Sequence, residues 1–207
     1  MYQRILEHEV HSPELYFNMG NAYFKMNDIP SAILYYEKAK KFAPGDKDIL
    51  NNLAMANLKT VDRVEAKPEL AFETWWNTFL NLQNSDGWGK WAIICGFSMF
   101  LLLVVYLLTQ RIIKKIAFFA AAFALAGMLS CWIMASVTSS YVANNEYAII
   151  FSPSVTVKSA PNQQANKLFV IHEGTKVKIE DSLDEWKKIS LMNGNSGWIR
   201  DEALKLI

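Results

Sequence analysis

Two stretches of this chain stay uncharged for the length of a membrane crossing, and the hydrophobic pattern on either side of them is quite different. Residues 91–110 (WAIICGFSMFLLLVVYLLTQ) are twenty uncharged positions. At about 1.5 Å rise per residue they span the roughly 30 Å of a hydrocarbon core. Residues 116–138 are again apolar and uncharged. Backbone groups in lipid must pair within their own segment, so both stretches predict transmembrane helices. Residues 111–115 are short enough to predict a tight loop between them. Before the pair the apolar positions recur at helical spacing, and after Glu146 they alternate.

The helical part is organised by a repeat. Tyr16, Met19, Gly20 and Tyr23 fall on one face of a first helix. Ala32, Tyr36 and Ala39 fall on a second helix, which Pro44 ends. Gly20 and Ala32 remove bulk where two antiparallel helices cross, and Tyr23 and Tyr36 fill the space beside them. Asn27-Asp28-Ile29-Pro30 predicts the turn, with Asp28 as N-cap and Pro30 in the first helical turn. Gly45 predicts a C-terminal stop, and Asp46 the cap of a third helix. These positions at 13–46 resemble a tetratricopeptide unit, whose period is 34 residues. Leu50, Leu53 and Ala54 repeat the positions of Tyr16, Met19 and Gly20. Counting backward, Tyr2 and Ile5 fall where Tyr36 and Ala39 do. That register has the chain starting in mid-repeat, and implies a natural polypeptide with preceding repeat helices and a secretory signal. The segment is read as 1–66.

In such repeats the first helices line a groove. Here that predicts Phe17, Asn21, Phe24, Lys25, Asn51 and Met55 as partner-binding residues, able to hold a peptide backbone or carboxylate. Residues 67–90 form an aromatic stretch, with Leu70, Phe72, Trp75, Trp76, Phe79 and Leu80 at helical spacing. It either lies in the membrane interface or caps the repeat. Trp88, Trp91 and Trp132 suit an aromatic belt.

From residue 146 to 207 the period becomes two. Lys176-Val177-Lys178-Ile179-Glu180 and Ile189-Ser190-Leu191 read as half-buried strands, and Asn193-Gly194 as a hairpin turn. Several short strands predict a small all-β barrel. Ala160-Pro161, Leu168-Phe169, Glu173-Gly174-Thr175, Trp186 and Gly197-Trp198-Ile199 resemble the bacterial SH3-like (SH3b) domain. Its members bind peptides or cell-wall material through exposed aromatics, which points to Trp186 and Trp198. The competing expectation is that these two fill or close the barrel, and for Trp198 that is the favoured one.

The chain therefore reads as a multi-domain membrane protein: a tetratricopeptide segment, a two-helix hairpin and an SH3-like barrel. Charge sets its expected orientation. The formal net charge of +1 argues against a nucleic-acid partner. Arg111, Lys114 and Lys115 stand alone between the apolar runs, and such loops face the cytoplasm. Both soluble modules then lie outside it, in the periplasm of a cell with two membranes. Spacings such as Ala117/Ala121 and Ala120/Ala124 allow close helix packing, against the first span or a partner's helix.

No catalytic constellation stands out. Cys95 and Cys131 lie within the apolar runs and read as small packing residues. His8 and His11 lack metal-ligand company. His172, with no Cys, Ser or carboxylate arranged beside it in sequence, reads as a turn residue. No metal, cofactor or enzyme activity is expected.

The order of modules, with Ser12–Tyr23, the stretch Phe151-Ser152-Pro153-Ser154-Val155-Thr156-Val157-Lys158 and His172–Val177, resembles the BatE family of the Bacteroides aerotolerance (Bat) operon. The resemblance implies an inner-membrane protein of Bacteroidetes type. Its implied partners are a MoxR-type ATPase system and membrane proteins with von Willebrand factor A domains, in a role linked to aerotolerance or envelope stress. Two functions remain open: a scaffold that holds such proteins, or an envelope sensor whose barrel binds peptidoglycan or periplasmic peptides.

Overall fold

The computed structural model describes residues 11–63, 71–80 and 82–207. Tyr2, Ile5, His8 and Leu70 lie outside these. The described chain forms two compact units: the repeat together with Asn144–Ile207, and the helical pair, Trp76–Ala143.

In the first unit, α1 (Pro13–Lys25), α2 (Ile29–Phe42) and α3 (Lys47–Asn57) follow one another through short turns. Each N-terminus is closed by a side chain. Ser12 Oγ accepts from Leu15 N–H at 3.1 Å, Asp28 from Ser31 N–H at 3.1 Å, and Asp46 from Asp48 N–H at 2.9 Å, so each cap satisfies an otherwise orphaned donor. After α1 the chain reverses through Asn27 at φ 61°, a left-handed conformation that Asn tolerates. Gly45 follows α2 without the left-handed conformation common at helix stops; the helix is capped at Ala43, whose N–H still reaches Ala39 O. Tyr36 packs so closely on Gly20 that a Cβ there would meet its ring at 2.5 Å.

The C-terminal module is one antiparallel sheet of seven strands. They are β1 (Glu146–Ile150), β2 (Ser154–Lys158), β3 (Lys167–His172), β4 (Lys176–Leu183), β5 (Trp186–Ser190), β6 (Ser196–Arg200) and β7 (Leu204–Leu206). Their order is β3-β2-β6-β5-β4-β1-β7. A β4-β5-β6 meander, a β2-β3 hairpin and a 3-10 turn (Asp201–Ala203) before the last strand make this SH3-like. Gly194 turns β5 into β6 at φ 88°. Ala148, Ile150, Val157, Ile171, Val177, Ile189 and Ile199 fill the interior.

Repeat and barrel share a core. β1 is buried on both faces: Ala148 and Ile150 point into the barrel, while Ile149 joins Ile33, Ala32, Tyr36, Leu53 and Ala56 of the helices. That double burial explains why Ala148-Ile149-Ile150 reads as a continuous apolar run rather than an alternation.

The second unit contains α5 (Ser85–Leu108) and α6 (Arg111–Asn144), after the short α4 (Ala71–Leu80). Both long helices are apolar enough to cross a membrane. Ala117 and Ala121 of α6 are buried, each 4% exposed, and a Cβ on Gly96 would come within 3.1 Å of Met128 Sδ. The small residues thus sit where the two helices pack. One expectation is corrected here: residues 111–115 are not a loop but open α6. The connection is Thr109-Gln110, with Arg111 at φ 59° turning the chain. Ile112 to Ile116 carry no residue that resists helix, so α6 begins as soon as the turn is made.

Candidate functional site

The seam between repeat and barrel holds a cluster of hydrogen-bonded polar groups. Asp62 follows α3, and its carboxylate meets the end of β3. It accepts from His172 N–H at 2.6 Å, from His172 Nδ1 at 2.8 Å and from Thr175 Oγ1 at 2.8 Å. Burial pushes the Asp62 carboxyl upward. The hydrogen bonds from His172 and Thr175 outweigh that effect and hold it below the ordinary carboxylate value. Beside it Gly174, at φ 83°, lets Thr60 approach to where a Cβ would be 2.8 Å from Thr60 Cγ2. Glu37 of α2, itself buried, receives Lys176 Nζ at 2.7 Å. His172 is therefore no simple turn residue. Its carboxylate partner lies 110 residues away, a pairing that no local pattern announces.

The predicted groove residues divide into two groups. Phe17 lies against the Tyr36 ring at 5.9 Å. Asn21 Oδ1 accepts from Tyr36 OH and from Asn52 Nδ2, both at 2.8 Å. Phe24 is half-buried under Lys59 Nζ, 4.5 Å from the ring centre. These three support the helices from within. Lys25, Asn51 and Met55 are exposed and remain available to a ligand. Asn52 was not among the expected residues; its place one position after Asn51 turns it toward Asn21.

On the barrel, Trp186 and Trp198 both occupy the outer side of the β5–β6 pair, with Trp186 opposite Arg200 and Trp198 opposite Lys188. Trp198 is half-buried between the fully buried Gly197 and Ile199, so its indole belongs to the wall and not to the interior. Trp186 borders a cavity of about 720 Å³ that also includes Ser154, Thr156, Lys158, Gln163 and Arg200. Lys158 Nζ stands 5.4 Å and Arg200 Cζ 5.8 Å from the Trp186 ring centre. Ser154, Thr156 and Lys158 alternate along β2 and so share one face. Both cations are already partnered, Lys158 by the carbonyls of Asn162 and Gln163 and Arg200 by Glu185 and Glu202, the last of which also lines the cavity; the indole and the Ser154 and Thr156 hydroxyls beside it offer stacking and hydrogen bonds to an extended segment.

In the helical pair, Arg111, Lys114 and Lys115 are exposed, and Lys114 Nζ lies 4.8 Å from the Tyr106 ring centre. His11 Nδ1 is 2.6 Å from Tyr16 OH. Among the described residues no group of three His, Cys, Asp or Glu is placed to hold a metal.

Comparison with known proteins identifies a tetratricopeptide repeat at residues 13–46. No curated protein matches the chain. Among solved structures, the C-terminal SH3 domain of myosin IB from Entamoeba histolytica is similar at 23% identity and a TM-score of 0.23, over 31% of this chain and 95% of that one. An NlpC/P60 family protein from Bacillus cereus is similar at 15% identity and a TM-score of 0.26, over 33% of this chain and 22% of the other.

Proposed function

We propose that this chain is a membrane-anchored adaptor, which attaches partner proteins through its repeat and its barrel and works by binding rather than catalysis. One observation carries this reading. The helices and the barrel are joined by a buried seam, while Lys25, Asn51 and Met55 on one module are exposed and Trp186 on the other, half-buried, borders an open cavity. A tetratricopeptide repeat is a module for protein partners. The long apolar helices α5 and α6 supply the anchor, with the Arg111, Lys114 and Lys115 end inside the cell and both modules on the periplasmic side.

The likeness to BatE extends the proposal to particular partners. Membrane proteins with von Willebrand factor A domains, together with a MoxR-type ATPase system, are the assembly this adaptor would hold, in aerotolerance or envelope stress. The test is purification of the full chain from its own membranes, as the native sequence and as Lys25→Glu/Asn51→Ala. Co-purified membrane proteins that disappear from the variant support the adaptor. If nothing co-purifies and the chain is instead retained on purified peptidoglycan in a Trp186-dependent way, a cell-wall-targeting role replaces it.

A further inference from the structure

Cys95 and Cys131, which the sequence presents as small packing residues, come together where α5 and α6 meet. Along α5 the shielded positions Ala92, Cys95, Met99 and Leu102 recur at alternating steps of three and four. On α6 the shielded Ala121, Ala124, Met128 and Cys131 do the same. Steps that average 3.5 residues mark the seam along which two helices pack, so both thiols belong to it. Two contacts fix the antiparallel register: the Tyr106 and Phe118 rings lie 6.1 Å apart, and a Cβ on Gly96 would come 3.1 Å from Met128 Sδ. Cys95, next to Gly96, therefore falls against the turn of α6 that runs from Gly127 to Cys131. A Cβ on Gly127 would be 3.5 Å from Cys95 Sγ, and the two thiols interact directly, side chain to side chain.

Both cysteines are free and half-buried. Gly96 and Gly127 carry no side chain at this crossing, which lets the backbones approach the roughly 4.4–6.8 Å between Cα atoms that a disulfide needs. The pair also lies near one end of the apolar run. Cys95 comes four residues after Trp91, and Cys131 directly precedes Trp132, both indoles being exposed. Four residues are about 6 Å of helix, so the thiols sit one turn from the aromatic belt and not at the centre of a bilayer.

We propose that Cys95 and Cys131 form an interhelical disulfide, which gives the hairpin a tied, oxidised form and an untied, reduced one. The proposal rests on the reading of α5 and α6 as a membrane anchor. Oxidation breaks two S–H bonds and forms one S–S bond; the two electrons and two protons pass to a membrane-soluble quinone, which leaves as the hydroquinone. A lipid-soluble acceptor suits the site because ionic oxidants are excluded from apolar surroundings. The turn at Arg111 already joins the helices at one end. The disulfide joins them toward the other, where packing alone holds the reduced pair, so the oxidised helices can no longer splay.

The test uses the full chain in its own membranes, first reduced with dithiothreitol, washed, and then exposed to a short-chain, fully substituted benzoquinone or to buffer. Free thiols are blocked with N-ethylmaleimide under denaturing conditions, and the sample is then reduced and tagged with a high-mass maleimide. The chain has two cysteines, so an intramolecular disulfide gives a monomer that gains two tags, and only after reduction. Quinone is expected to raise that species about tenfold over buffer, and Cys95→Ser to abolish it. Gly127→Leu, which fills the space against Cys95 Sγ, is expected to lower its yield about tenfold. Ala126→Leu, on the exposed side of α6, leaves the yield unchanged. Protection of neither thiol or of one alone, a disulfide-linked dimer on a non-reducing gel, or a yield indifferent to Gly127→Leu overturns the inference. Retention in the membrane after alkaline carbonate extraction reads the anchor separately, since a chain that washes off refutes the anchor while its thiols can still be counted.

Discussion

Glu37 Oε2 and Lys176 Nζ meet at 2.7 Å although 139 residues separate them. The carboxylate sits on α2 and is almost fully buried; the ammonium comes from β4 and also lies 4.6 Å from the Tyr147 ring centre. Removing one member of such a pair strands a buried charge, whereas removing both is far less costly. Lys176→Met is expected to destabilise the joined unit by about 3 kcal/mol, and Glu37→Met with Lys176→Met together by less. A double-mutant cycle from chemical denaturation of the detergent-solubilised chain measures the difference.

Asp62 gives the same seam a dependence on acid. Its carboxyl is held below the ordinary value of 3.8, so the charged form is favoured by the fold. The stability it contributes is fully present above about pH 4 and is lost as pH falls through the lowered folded pKa. Asp62→Asn is expected to cost about 2 kcal/mol at neutral pH and to flatten the stability curve on its acid side. Unfolding curves across this range, for native chain and variant, provide the check.

Two glycines mark close approaches within the modules. A Cβ at Gly20 would press on the Tyr36 ring, and one at Gly197 would meet Val157 Cγ1 at 2.5 Å and the Lys158 carbonyl at 2.7 Å. A ring can shift, but a strand backbone is fixed by its neighbours. Gly20→Ala is therefore expected to cost about 1–3 kcal/mol and Gly197→Ala somewhat more. Limited proteolysis of each variant should show the first opening at the helices and the second at the barrel.

The two barrel tryptophans should respond differently. Trp186 borders the cavity beside Lys158 and Arg200, while Trp198 lines the wall between buried neighbours. Trp186→Ala is expected to weaken partner capture by the barrel about tenfold with little change in stability. Trp198→Ala should lower stability by about 2 kcal/mol through lost apolar burial. Capture assays run alongside thermal melts separate the two.

The proposed membrane orientation is tested with Lys114→Cys and Asn195→Cys. In intact cells with a permeable outer envelope, an impermeant thiol reagent should label position 195 and spare position 114. Labelling of 114 alone would reverse the orientation.

Features encoded locally could be read from the chain before the structure. The repeat was visible because Gly20, Tyr36 and their companions must recur at set spacings for two helices to cross, and the barrel because alternation in Lys176–Glu180 reflects one buried face. Helix α6 began earlier than expected, since the charge pattern of Arg111, Lys114 and Lys115 says nothing of where hydrogen bonding starts. The seam was not legible at all. Ile149, Asp62 and His172 are ordinary residues in their own segments, and only the tertiary fold brings a strand face, a carboxylate and a backbone N–H together. Trp198 was ambiguous for a related reason: strand alternation places it on the outer side, but its ladder partners Lys158 and Lys188 come from two different strands that only the tertiary fold brings beside it.

Thr60 seats closely on Gly174, and Ile149 shares a core with the helices, so helices and barrel are packed directly on one another. Lys25 and Trp186 are consequently held at one spacing by folded structure instead of by a tether. A bivalent partner that reaches both gains avidity from a high effective concentration, and one whose motifs are spaced too closely gains none. Spacing between motifs, as much as their composition, would then select what this protein gathers.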